Sequence, residues 1–220
     1  MARVTLLLPG MDIGVLGSGV VGQALGRGWA RHGHRILLGT GDAGRSELRQ
    51  WADETGQTVT GFAEAARGSE VIALALRGSA TLHVLEQVGP DSLTGKVVID
   101  ATNPLSFEDG QPHLFVGHVD SLGEQVQRAL PDARVVKAYN TVGNTLMVDP
   151  QLPGGPPTMF LAGDDTEAKQ VVIDLLAATG WDVADLGDIT AARDLEAMCL
   201  AWVRYGARTG TWNHAFKLLR

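Results

Sequence analysis

An α/β fold, a doubly wound parallel sheet with a small C-terminal helical cap, is what this sequence predicts. Three observations carry the prediction. Short apolar runs alternate with helical patterns through most of the 220 residues, the signature of strands joined by crossover helices. The middle runs are continuously apolar and rich in β-branched side chains, as strands covered on both faces should be. A glycine-rich segment, Gly17-Ser18-Gly19-Val20-Val21-Gly22, separates the first strand from the first helix.

In chain order the expected strands are Ile13–Leu16, Arg35–Leu38, Val71–Leu76, Val97–Asp100, Val135–Ala138, Met159–Ala162 and Val183–Ala184. The expected helices are Val20–Arg31, Arg45–Glu54, Gly61–Ala66, Ala80–Val88, Leu122–Leu130 and Thr166–Thr179. Right-handed crossovers then place a ligand at the carboxyl ends of the strands. Pro153-Gly154-Gly155-Pro156-Pro157 reads as a loop ahead of a strand. After Asp185 the pattern changes. Residues 190–204 read as a helix offering Leu195, Met198, Leu200, Trp202 and Val203 for burial, and a second short helix is expected over Thr211–Leu219. The expected organisation is a dinucleotide-binding domain over residues 11–185 and a cap or dimerisation element over 186–220. Residues 1–10 are expected to be a loosely attached extension, with Met11 placed as an initiator often is.

Composition narrows the function classes. The net charge is −7 with no basic stripe, so nucleic acid is not an expected partner. No run is long and apolar enough for a membrane span. The single cysteine, Cys199, reads as a small core residue and is compatible with a reducing, cytoplasmic compartment.

The glycine spacing has a physical purpose. The first glycine permits a tight turn, the second lets the backbone approach a pyrophosphate, and the third lets helix and strand pack closely. The helix then directs free N–H groups and its positive dipole end at the phosphates. In this strand–helix context the motif reads as a Rossmann-type cradle, the alternative being a glycine-rich turn with no ligand. NAD-binding domains usually end the second strand in a carboxylate, but Gly39 and Thr40 occupy that position here. They leave room for a 2′-phosphate, and Arg45 can supply the matching charge, so NADP is preferred. Asp42 has two readings, an N-cap for the next helix or an NAD carboxylate, and the cap is favoured.

Downstream segments carry a family resemblance. Val98-Ile99-Asp100-Ala101-Thr102-Asn103-Pro104, Lys137-Ala138-Tyr139-Asn140-Thr141-Val142-Gly143-Asn144, Gly163-Asp164-Asp165, Leu195-Glu196-Ala197-Met198 and Phe216-Lys217-Leu218-Leu219 resemble the NADPH-dependent reductases of the deazaflavin coenzyme F420. The pattern is also similar to the reductase domain of the STEAP metalloreductases, which passes electrons from NADPH to a flavin. The resemblance implies hydride transfer between NADP(H) and F420, or a flavin, in a homodimer. It departs at Thr40-Gly41, where family members often carry Ser/Thr-Arg. A reductase of a quinone or small imine, and a non-catalytic NADP sensor, are the alternatives.

Hydride transfer between stacked rings is chiefly a positioning problem, so no nucleophile, metal or catalytic side chain is expected. Cofactor contacts are expected from Gly17 to Gly22, from Gly39, Thr40 and Arg45, and from Leu76, Arg77, Ala101, Asn103, Pro104, Asn140 and Thr141. Asn103 and Asn140 suit a carboxamide or acceptor ring, or else turn chemistry. Trp212 reads equally as an acceptor-pocket or a core aromatic. His113 and His118 read as solvated loop histidines, and His32, His34 and His83 as structural.

Overall fold

The computed structural model describes residues 10–220, so the extension expected at residues 1–10 lies, except for Gly10, outside the described residues. Eight strands form one sheet: β1 (Asp12–Leu16), β2 (Arg35–Thr40), β3 (Thr58–Gly61), β4 (Val71–Leu74), β5 (Val97–Asp100), β8 (Arg134–Lys137), β9 (Thr158–Gly163) and β10 (Asp182–Asp185). Their order is β10-β9-β8-β5-β4-β1-β2-β3. The remaining two strands, β6 (Leu105–Glu108) and β7 (Gln111–Leu114), form a separate hairpin. The helices are α1 (Val20–Arg31), α2 (Ser46–Thr55), α3 (Phe62–Arg67), α4 (Gly78–Val88), α5 (Leu122–Ala129), α6 (Thr166–Ala178) and α7 (Ala192–Thr209).

Two apolar clusters occupy the two faces of the sheet. One gathers Ile13, Val15, Leu25, Trp29, Ile36, Trp51 and Trp181. The other gathers Leu16, Leu37, Ile72, Leu74, Val98, Val126 and Val135. Ile13 and Val15 lie in one cluster and Leu16 in the other, as alternation along a doubly covered strand requires.

Four expectations need correction. The sheet is mostly rather than wholly parallel, because β9 pairs antiparallel with β8. A parallel return needs a crossover, usually a helix, and the chain from 138 to 157 holds only a short 3-10 turn at Asn144–Leu146. β3 was not expected. It is a short threonine-bearing edge strand paired on one side only, so it carries no continuous apolar run. The β6–β7 hairpin occupies what reads as a loop after Pro104. The second C-terminal helix is absent. Gly210 ends α7 in the left-handed region (φ 70°), and residues 211–220 run back irregularly, with Phe216 O accepting from Thr158 N–H at 2.9 Å and Leu218 N–H donating to Thr158 Oγ1 at 3.0 Å. Those bonds go to the start of β9, and so cannot close helical turns.

The Ser121 side chain caps α5. Ser121 Oγ accepts from Glu124 N–H at 3.1 Å and donates to the Glu124 carboxylate at 2.7 Å. Beside it, Arg128 bonds Asp120 at 2.8 Å and holds that carboxyl down at about 2, against an ordinary 3.8. Depressed in the folded state, Asp120 contributes stability that is complete above the ordinary value and is lost as the pH falls towards about 2. The acid limb of the melting-temperature profile is therefore expected to be shallower for Asp120→Asn than for the wild type over that window, as thermal melts at graded pH will read.

Candidate active site

The carboxyl ends of β1, β2, β4, β5 and β8 converge on one edge of the molecule, and the glycine segment sits at its centre. Gly17 adopts φ +125°, and a Cβ there would lie 2.2 Å from Ala75 O. A Cβ on Gly22 would lie 1.7 Å from Gly17 O, so the helix crosses the turn in direct contact. Gly19 differs: a Cβ there meets nothing within 4 Å. Packing explains the first and third glycines, whereas the second borders open space. That space faces the start of α1, which has no side-chain cap and no acidic residue in its first turn. Uncapped N–H groups beside a surface any Cβ would fill suit an anion, and a pyrophosphate fits.

A polar cluster lies at the end of β2. Ser18 Oγ donates to Thr40 Oγ1 at 2.8 Å, and Arg45 Nη1 donates to Ser18 Oγ at 3.3 Å. Arg45 also pairs with Glu47 and is partly exposed. Gly39 serves packing, since a Cβ there would press on Ala65 and Leu16 at 3.1 Å. Asp42 is not the helix cap that its position suggests. Its carboxylate accepts from Gly44 N–H at 2.9 Å, closing a turn, while Arg45 takes the N-cap position of α2.

Next to the glycine segment lies a cavity of about 320 Å³. Val21, Ala101, Asn103 and Asn140 form its sheet side, the loop from Val142 to Met147 one flank, and Cys199, Trp202, Val203 and Trp212 its far wall. Trp202 anchors that wall. Its ring stacks on His214 with centroids 4.6 Å apart, its Nε1 donates to His214 O at 2.9 Å, and Trp212 tilts against it at 5.4 Å. Burial among these groups pushes the Cys199 thiol up to about 12, which keeps it protonated.

Two asparagines join the halves. Asn140 Nδ2 donates to Asn103 Oδ1 at 3.0 Å and to Leu195 O at 2.9 Å, and Asn103 Nδ2 donates to Asn140 O at 2.9 Å. This reciprocal bonding fixes both amide orientations. It also leaves Asn140 Oδ1 buried without a donor. An orphaned buried acceptor at the cavity wall invites an N–H from a ligand.

The structure thus brings the expected residues into two neighbouring groups, Gly17–Gly22 with Thr40 and Arg45, and Val21 with Ala101, Asn103 and Asn140. Leu76, Arg77, Pro104 and Thr141 do not border the cavity. Leu76 packs against the core, Arg77 is exposed at the start of α4, and Pro104 O accepts from Phe115 N–H at 2.9 Å to hold the hairpin. His113 and His118 are exposed and away from the cavity. Sequence reasoning missed Tyr139, Met147, Cys199, Trp202 and Val203 as cavity residues. The only signal of Cys199, Trp202 and Val203 is apolar helix spacing in α7, which core packing also produces, while Tyr139 and Met147 lie between β8 and β9 and carry no periodic pattern.

A glycine cradle at an uncapped helix end, beside a largely apolar cavity with paired amides, is the layout of a Rossmann-type nicotinamide-nucleotide oxidoreductase. Residues 12–104 match the family described as NADP oxidoreductase, coenzyme F420-dependent. The crystal structure of a candidate F420-dependent NADP reductase from Arthrobacter sp. FB24 superposes with a TM-score of 0.91 at 40% identity, over 96% of this chain and 100% of that one. The F420-dependent NADP reductase of Methanocaldococcus jannaschii is 31% identical over 61% of this chain and 61% of its own length. The rat metalloreductase STEAP3 is 28% identical over 86% of this chain and 36% of its own. The chain therefore spans about three fifths of the first of these curated relatives and about a third of the second. It belongs to the family of F420-dependent NADP oxidoreductases. No helix among the described residues is long and apolar enough to cross a membrane.

Proposed function

We propose that this chain transfers hydride between NADP(H) and the deazaflavin coenzyme F420. The observation that carries the reading is Asn140 Oδ1, a buried acceptor lacking a donor, in a cavity flanked by the phosphate cradle and an aromatic wall. Family membership supports the choice of acceptor, as does the resemblance to the M. jannaschii reductase.

The residues divide the work. Gly19 and the first N–H groups of α1 would hold the pyrophosphate. Arg45, with Ser18 and Thr40, would receive the 2′-phosphate, exchanging its contact with Glu47 for a doubly charged partner. The turn Asp42 makes with Gly44 engages its carboxylate within its own loop, which favours NADP over NAD. Asn140 Oδ1 would accept from a nicotinamide carboxamide N–H, and Asn103 would hold Asn140 in place. NADPH bound in this way supplies a hydride from its nicotinamide ring. Val21, Cys199, Trp202 and Val203 would exclude water from the transfer path and orient a planar acceptor.

Mixing the protein with NADPH and F420 is expected to bleach the absorbance of the oxidised deazaflavin, and a flat trace overturns the reading. A flavin acceptor is the second reading, favoured by the similarity to the rat metalloreductase, and turnover with FMN alone would select it. A homodimer belongs to the same proposal, and light scattering of the purified protein checks it.

A further inference from the structure

Beneath the asparagine pair lies a buried ionic cluster that the proposed hydride transfer does not use directly. Lys137, the last residue of β8, is completely buried. Its ammonium donates to Asp100 Oδ2 at 2.9 Å, to Thr102 O at 2.7 Å and to Glu196 Oε1 at 2.8 Å. Every N–H of the ammonium is thereby engaged, and each bond reaches a different part of the chain: the end of β5, the loop after it, and α7. Asp100 in turn accepts from Thr102 N–H at 2.9 Å and Thr102 Oγ at 2.6 Å. Glu196 accepts from Leu122 N–H and Gly123 N–H, both at 3.0 Å, at the start of α5. Two carboxylates against one ammonium leave a surplus negative charge, and the positive end of α5 faces it. A Cβ on Gly123 would lie 2.8 Å from Ala192 Cβ, so α5 and α7 approach as closely as a glycine allows.

Stability alone does not account for such a cluster. Well-packed apolar side chains of similar volume often serve a core as well as a buried ion pair or better. What the cluster adds is direction. Thr102 precedes Asn103, whose amide bonds Asn140. Leu195 precedes Glu196, and its carbonyl accepts the other N–H of Asn140. Cys199, three residues beyond Glu196, belongs to the far wall of the cavity. One ammonium therefore sets the register of both walls. We propose that Lys137, acting with Asp100 and Glu196, is a positioning residue that locks the nicotinamide-side loop and the acceptor-side helix into one frame. The proposal rests on the cofactor half of the function proposed above and does not depend on which acceptor is used.

Two variants test it. Glu196→Gln keeps the shape and the Lys137–Asp100 pair. Lys137→Met combined with Glu196→Gln keeps the cluster's net charge, leaves Asp100 its Thr102 donors and leaves a carbonyl for α5. If the double variant does not fold, Glu196→Gln alone carries the test. The readouts are the NADPH dissociation constant, the emission of bound NADPH, which reports the surroundings of the nicotinamide ring, and turnover per NADPH-binding site. The expected result is an unchanged dissociation constant, loss of the wild-type emission change, and turnover per site lower by about tenfold to a hundredfold. Wild-type emission and turnover per site, with only a lower melting temperature, overturn the proposal by reducing the cluster to a structural element. A wild-type protein that binds NADPH but does not reduce F420 defeats the acceptor assignment, and the emission comparison still decides the role of Lys137. A wild-type protein that does not bind NADPH defeats both.

Discussion

Gly19→Ala is expected to abolish most NADPH binding while leaving the fold intact, and Gly22→Ala to damage the fold itself. The two glycines lie three positions apart in one turn, yet their surroundings are opposite. At Gly19 the backbone is extended (φ −75°), which alanine adopts freely, and the added methyl meets nothing within 4 Å. Alanine is the poorer N-cap, but the unfolded chain loses freedom with it, and these effects of roughly 0.5–1 kcal/mol oppose each other. The melting temperature should stay close to that of the wild type. The methyl stands where a pyrophosphate must approach, so NADPH affinity should fall at least about tenfold, or about 1.4 kcal/mol. At Gly22 the same methyl would lie 1.7 Å from Gly17 O, and backbone has no rotamer with which to yield. A loss of roughly 3 kcal/mol or more is expected from forcing α1 off the turn. Thermal melts paired with NADPH titrations read both outcomes, and a Gly19→Ala protein that binds normally would overturn the cradle.

Arg45→Ala is expected to weaken NADPH binding by roughly 1.5–3 kcal/mol, the scale of a hydrogen bond to a charged group, and to leave NADH binding nearly unchanged. The guanidinium sits against Ser18, at the end of the cradle where the adenosine ribose would lie. Equal losses for the two nucleotides would show that Arg45 does not read the 2′-phosphate. Because Glu47 competes for Arg45 in the free protein, Glu47→Gln should tighten NADPH binding slightly, an effect the same titrations resolve.

Much of this is legible in the sequence. The strands of the central sheet announce themselves as apolar β-branched runs because both of their faces are covered. The cradle is legible because close backbone approach leaves glycine as its trace at fixed intervals. Where burial is one-sided the trace fades. β3 is a threonine-bearing edge strand, and the β6–β7 hairpin lies outside the main sheet, so neither shows a continuous apolar run. The C-terminal segment misleads for another reason. Thr211–Leu219 reads as a short helix, but its backbone bonds the start of β9, and Trp212 packs on Gly206, where a Cβ would lie 2.5 Å from the indole.

Asp42 shows the same division at one residue. Its distance from the glycines allows two roles, and the structure gives it a third, because a carboxylate two residues past β2 reaches Gly44 N–H before it reaches the first turn of α2. Asn140 shows it in the other direction. Its type and position suggested turn chemistry as readily as ligand binding, and the orphaned Oδ1 is visible only once Asn103 and Leu195 occupy the amide's other bonds.

The sheet core, the glycine turn and the absence of a carboxylate at the end of β2 follow from the order of residues along the chain. Each is a local pattern, in which neighbours along the chain carry the physical constraint. The antiparallel β9, the aromatic wall of Trp202 and Trp212 and the meeting of Lys137, Asp100 and Glu196 arise only when the elements pack together. Those depend on groups as far apart as residues 100 and 196, and a buried charge finds its partners through the packing of whole elements rather than through spacing in the chain.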